Sequence, residues 1–127
     1  MRSATLLVAL MATLVTAAPA ASAPDRRIAG YCSPSGDVCY GIFDVTGVVK
    51  FQLTTAARYF SRYRICVRPP RGATTCRSFP VRAVGQNFGG TVVWQRNFPN
   101  RGAGSYRVRW RLGAQALGPA LVFRRST

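Results

Sequence analysis

The chain reads as a series of short alternating segments. From Tyr106 to Leu112, the residues Tyr106, Val108, Trp110 and Leu112 share one parity, and Arg107, Arg109 and Arg111 the other. A β-strand sends successive side chains to opposite faces, so one face enters a core and the other presents three arginines. Arg62 to Arg68 repeats the design, with Tyr63, Ile65 and Val67 set against Arg62, Arg64, Cys66 and Arg68. Val48 to Leu53 sets Val49, Phe51 and Leu53 against Lys50 and Gln52. Less regular patterns predict further strands over Val38–Phe43, Thr75–Arg82, Thr91–Gln95 and Ala116–Arg124, which makes seven. Gly, Pro and Asn separate the segments every ten residues or so, as in sandwiches and barrels. Thr54–Ser61 is expected as a connection with a helical turn, and Ala83–Gly90 and Phe98–Gly104 as loops. No long amphipathic helix and no internal repeat is visible.

Seven short antiparallel strands predict an all-β fold, an immunoglobulin-like antiparallel sandwich. Asn100-Arg101-Gly102-Ala103-Gly104-Ser105 is a glycine-rich corner running into Tyr106 at a strand start. It resembles the tyrosine corner of such sandwiches, where the hydroxyl bonds back to the corner backbone. Other hallmarks of a true immunoglobulin domain are missing. Val108 stands where the second cysteine would be, and neither Trp94 nor Trp110 is on the third strand. In this architecture the third and sixth strands are neighbours. Arg62, Arg64 and Arg68 are therefore expected beside Arg107, Arg109 and Arg111 on one outer face, with Arg77 and Arg124 near them.

The first residues read differently. Met1-Arg2 is followed by an apolar run, Leu6 to Val15, and by the small-residue sites Ala18-Pro19-Ala20 and Ala21-Ser22-Ala23. This is the layout of a secretory signal peptide, here residues 1–23 with cleavage near 20–23. Cleavage after Ala20 or Ser22 avoids leaving Pro24 first. The competing reading is an uncleaved anchor, since Ala4 to Ala23 carries no charge and could just span a bilayer. Pro19 and the wealth of Ala and Thr weigh against it. Tyr31 before Cys32 weighs against a lipid anchor. Residues 24–127 then form one exported domain with a modest core.

Export changes the meaning of the four cysteines. An even number in a secreted chain implies two disulfides, and three pairings are open. Cys32 and Cys39 enclose Ser33-Pro34-Ser35-Gly36-Asp37-Val38, and Cys66 and Cys76 enclose Arg68-Pro69-Pro70-Arg71-Gly72. Both stretches are dense in turn formers, which favours the local pairs 32–39 and 66–76. Each short loop contributes about 2.5 kcal/mol on the loop-entropy account.

Charge is the most unusual bulk property. Eighteen Lys+Arg stand against three Asp+Glu, a formal net charge of +15 that falls by one if Arg2 leaves with the leader. Lys50 is the single lysine. Arginine stays charged at any ordinary pH and forks onto carboxylate or phosphate. Arginine-rich codon usage weakens the Arg-over-Lys ratio as a sign of recognition. The net charge speaks more directly to solubility and anionic partners.

The same composition removes most catalytic chemistry. There is no histidine, which excludes His-activated nucleophiles and most zinc sites. There is no glutamate, and the acids are Asp25, Asp37 and Asp44. Asp37 reads as turn chemistry and Asp25 as part of a loose start, leaving Asp44 without a partner for paired-carboxylate work. Three scattered aspartates make a poor calcium site. The cysteines lack C-x-x-C spacing, and no Gly-rich phosphate loop opens a helix. Lys50 with a serine is the only formal hydrolase option. No catalytic residue, metal site or cofactor is assigned, and no enzyme activity is expected.

The mature chain resembles a group of small secreted actinobacterial proteins with no assigned activity. The shared segments are Tyr31-Cys32-Ser33-Pro34-Ser35-Gly36-Asp37-Val38-Cys39-Tyr40-Gly41-Ile42, then Arg64-Ile65-Cys66-Val67 with Pro69-Pro70-Arg71-Gly72, then Asn97-Phe98-Pro99-Asn100-Arg101-Gly102. The resemblance implies export and fold, and no activity. The enediyne-carrier proteins of actinomycetes are similar in outline, but they are acidic and their motifs are not present here.

Function is then expected on the surface. The bland reading of Arg62, Arg64, Arg68, Arg107, Arg109 and Arg111 is a solvated face that keeps an exported protein soluble. Against it, like charges on adjacent strands repel, and almost no acids relieve them. The favoured expectation is a non-enzymatic module binding polyanions: cell-wall polymer, acidic polysaccharide, phospholipid headgroups or extracellular nucleic acid, without sequence reading. One alternative is a small-molecule carrier or protein inhibitor using the loops Cys32–Cys39, Arg68–Thr75 and Gly85–Gly90. A second is a structural secreted protein with no anionic ligand. Tyr63, Tyr106 and Trp110 fall on the core parity and are expected inside, not as stacking platforms. Tyr59, Phe60 and Phe88 sit in connections.

Overall fold

Ten strands and one short helix form in the computed structural model, which describes residues 12–15 and 25–126. The leader expected over residues 1–23 lies outside them, residues 12–15 apart. The strands are β1 Arg26–Cys32, β2 Val38–Val45, β3 Val48–Thr55, β4 Arg62–Arg68, β5 Thr75–Pro80, β6 Arg82–Val84, β7 Asn87–Val93, β8 Gly104–Leu112, β9 Gln115–Ala116 and β10 Leu121–Arg125. The helix, α1, covers Trp94–Asn97 between β7 and β8.

Two antiparallel sheets result. The first has the order β1-β2-β3-β7-β6, and the second β10-β8-β4-β5 with β9 paired to β8. Without β1, the orders match the A-B-E-D and G-F-C arrangement of immunoglobulin-like sandwiches, with β5 added beside the third strand. The fold is thus all-β and immunoglobulin-like, with both disulfides local: Cys32–Cys39 within the first sheet and Cys66–Cys76 within the second.

The alternation seen in the sequence explains the packing. Val49, Phe51 and Leu53 from β3 meet Tyr63, Ile65 and Val67 from β4 and Tyr106, Val108 and Trp110 from β8 in one core cluster. Trp110 stacks on Tyr40 with ring centroids 4.4 Å apart, and Tyr106 stacks on Phe123 at 5.0 Å. Tyr106 closes the expected corner. Its hydroxyl donates to the Gly102 carbonyl at 2.7 Å and accepts the Arg101 N–H at 2.9 Å.

Several expectations are corrected. β1 is an additional strand, paired with β2 through a register shift between Arg27 and Ala29. Thr75–Arg82 is not one strand: β5 ends at Pro80, and buried Val81 carries the chain to β6 in the other sheet. The strand expected over Thr91–Gln95 begins at Asn87 and ends at Val93, and Trp94 and Gln95 belong to α1. Most of the expected loop Ala83–Gly90 is therefore the hairpin of β6 and β7. Thr54–Ser61 contains no helical turn; Thr54 and Thr55 complete β3. The last expected strand, Ala116–Arg124, divides into β9 and β10.

Candidate polyanion-binding face

β4 and β8 are adjacent, and their register fixes which arginines meet. Arg64 lies opposite Arg111, Cys66 opposite Arg109, and Arg68 opposite Arg107. Directly opposed residues of an antiparallel pair point to the same face. The alternate residues, Ile65, Val67, Val108 and Trp110, are buried in the core. Arg62, Arg64, Arg68, Arg107, Arg109 and Arg111 therefore all stand on the outer face of the second sheet. Arg124 joins them, since it lies opposite Ser105, which has the arginine parity of β8. Arg77 does not. It lies opposite buried Ile65 and so has the core parity, at the sheet's edge strand. An inward-parity charge on an edge strand discourages edge-to-edge pairing, a sufficient reason for its position.

Little inside the protein relieves this charge. Among the described residues the one ion pair is Arg26–Asp44 at 3.9 Å, on the first sheet. Asp44 also accepts the Gly47 N–H in the β2–β3 turn, and Asp37 sits in the Cys32–Cys39 loop. With Asp25 just before β1, all three acids lie on or beside the first sheet. Among the described residues Arg64, Arg68, Arg107 and Arg109 make no side-chain hydrogen bond. Arg62 reaches the Ser78 carbonyl at 3.4 Å. Arg111 is half-buried; its Nη2 donates to the Ala114 carbonyl, and its Nε is buried without a partner.

The face is not flat. Cys66 occupies a position between the longer side chains of Arg64, Arg68 and Arg109, Cys76 lies beside it on the edge strand, and a depression of about 210 Å³ opens above the pair. Arg68, Thr74, Arg107, Arg109 and Arg111 line it. The basic surface also continues beyond the strands. The β4–β5 turn packs on the tyrosine corner, where Arg71 Nη1 donates to the Arg101 carbonyl. Gly104, at φ 133°, lies so close that a Cβ there would stand 2.6 Å from Pro70 Cβ. Arg71 and Arg101 thus meet at the end of the sheet beyond Arg68 and Arg107. Alternation in the sequence does not reveal them, because they sit in turns, where no parity rule assigns a face.

The other sheet differs. A shallow groove of about 270 Å³ over β1 and β2 is lined by Arg27, Tyr31, Phe43, Gln52 and the Cys32–Cys39 disulfide. Tyr40 and Tyr63 are buried, and burial raises both phenol pKa values from 10.0 to about 12, with the Tyr31 phenol adding to the effect at Tyr40. Among the described residues no group of His, Cys, Asp or Glu is placed to hold a metal ion, and no helix is long and apolar enough to cross a membrane. Comparison with protein-family models, curated proteins and solved structures finds no match to this chain.

Proposed function

We infer that the protein is an exported, non-enzymatic binding module that engages polyanions through the outer face of its second sheet. One observation carries this reading. Arg64 faces Arg111 and Arg68 faces Arg107 in register, with no carboxylate on that sheet. Like charges placed directly opposite cost folding free energy, and a polyanion lying over the face offsets that cost. Successive outward arginines along β8 are about 6.8 Å apart, from two strand residues of about 3.4 Å each. That row suits the repeated charges of a phosphate or sulfate polymer, which arginine pairs in bidentate fashion. The two disulfides are typical of extracellular proteins and agree with export.

The carrier or inhibitor reading draws less support. The Cys32–Cys39 loop and the β6–β7 turn lie at one end of the sandwich and the β4–β5 turn at the other, so they form no single loop cluster. The space between the sheets is filled by the core cluster.

Binding to heparin, wall teichoic acid and duplex DNA at rising salt tests the proposal. Replacing Arg107, Arg109 and Arg111 by Ser should abolish most of the affinity for all three. Retention of full affinity by that variant would overturn the assignment of the face.

A further inference from the structure

The Cys66–Cys76 disulfide stands in an electrostatic setting that its partner disulfide lacks. Cys66 lies opposite Arg109 on one side and Cys76 on the other. Four arginines line the depression above the pair: Arg68, Arg107, Arg109 and Arg111. Cys66 is 4% exposed, whereas Cys76 is exposed and belongs to β5, the edge strand of its sheet. A line from Cys66 through Cys76 therefore leaves the sheet at its free edge, the direction from which a nucleophile must approach Cys76 Sγ. The Cys32–Cys39 disulfide also has one exposed cysteine, but its groove is lined by a single arginine, Arg27, and its loop contains Asp37.

We propose that Cys66–Cys76 is a site of thiol–disulfide exchange with anionic low-molecular-weight thiols, which become attached through Cys76. In the first step the thiolate sulfur of the small molecule attacks Cys76 Sγ. A sulfur–sulfur bond forms between them, and the Cys66–Cys76 bond breaks with its electron pair left on Cys66 Sγ. The incoming sulfur is oxidised to the disulfide level and the Cys66 sulfur is reduced to a thiolate, with no proton moved. A second thiolate can then attack the sulfur of the attached molecule, releasing a small-molecule disulfide and leaving both cysteines reduced.

The arginines act on this step twice. Their field concentrates a negatively charged thiol near the face. They also stand beside the negative charge left on Cys66 Sγ, and a leaving thiolate stabilised by nearby cations departs faster. The argument for exchange does not rest on the polyanion reading, although both use Arg68, Arg107, Arg109 and Arg111; it is the chemistry of a modification site, since attachment of an anionic thiol puts negative charge among the arginines.

The second disulfide provides an internal control. The oxidised full chain is treated with 2-mercaptoethanesulfonate or with neutral 2-mercaptoethanol at equal thiolate concentration. Alkylation stops the reaction, and peptide mass spectrometry scores each disulfide. With the sulfonate at low ionic strength, Cys66–Cys76 should open about tenfold faster than Cys32–Cys39, with the first adduct on Cys76. The preference should shrink severalfold with the neutral thiol, and also in high salt. Arg109→Gln should slow opening of Cys66–Cys76 severalfold and leave Cys32–Cys39 unchanged. Three results would each overturn the proposal: faster opening of Cys32–Cys39, equal preference with charged and neutral thiols, or a first adduct on Cys66. None of them touches polyanion binding, which is measured with both disulfides closed.

Discussion

Tyr106 concentrates several demands in one hydroxyl. The ring is fully buried between Trp94 and Phe123, and the hydroxyl donates to the Gly102 carbonyl, accepts the Arg101 N–H and lies 3.2 Å from Asn100 Oδ1. Tyr106→Phe keeps the ring and removes the hydroxyl, leaving the Gly102 carbonyl and the Arg101 N–H without their partner. The expected loss is about 1–3 kcal/mol, read from urea unfolding as a lower midpoint at unchanged slope. Tyr40 and Tyr63 make a different prediction. Their pKa values are raised from 10.0 to about 12 in the folded state. Between these values the unfolded chain has lost protons that the folded chain still holds, so stability must fall as pH rises. The contribution is fully present below pH 10 and is lost progressively as pH rises to about 12. Urea midpoints at stepped alkaline pH check this, and Tyr63→Phe should flatten part of the decline.

In β4 and β8, strict parity over Arg62–Arg68 and Tyr106–Leu112 makes both strands, their buried faces and the six arginines legible in the sequence, while Gly104 and Ser105, which open β8, read as part of the corner. The local disulfides are legible for a similar reason, since the turn formers between the cysteines leave short loops to close. Elsewhere competing local effects hide the pattern. In β1 the register shift between Arg27 and Ala29 breaks alternation at Ile28. β7 begins Asn87-Phe88-Gly89-Gly90, a run that reads as a loop because glycines weaken strands. Gly89 is required there: at φ 145° a Cβ would collide with the Leu53 carbonyl across the strand pair. Pro80 and Val81 conceal the passage between sheets, because Arg77, Phe79 and Val81 keep one parity while the chain changes partners. Within β4, the cost of facing arginines is itself testable. Arg64→Thr removes the charge opposite Arg111 and puts a good strand former at an exposed site. Stability should rise by about 0.5 kcal/mol at low salt, and the gain should shrink in 1 M salt. An unchanged or lower urea midpoint would show that the pair carries no strain.

The molecule as a whole confines its acids to one sheet and spreads its cations over both. All three acids lie on or beside the first sheet, while the outer face of the second carries only cations among its charged groups. A highly basic protein attracts any polyanion to some extent, so affinity alone cannot distinguish a binding face from diffuse attraction. The salt dependence can. Each phosphate neutralised on duplex DNA contributes about 0.9 to the slope of log affinity against log salt. The Ser variant of Arg107, Arg109 and Arg111 should therefore lose about 2.7 units of slope if all three arginines contact phosphates. A matched variant with Ser at Arg58, Arg82 and Arg96 has the same net charge. Those three are exposed on β6, on α1 and in the β3–β4 connection, and none lies on a strand of the second sheet. Its slope should stay near that of the unaltered protein, with only a modest drop in affinity from the weaker overall field. Equal loss of slope in both variants would mean that DNA senses total charge and not this face. A difference confined to the first variant would tie binding to the register that sets Arg68 beside Arg107 and Arg64 beside Arg111.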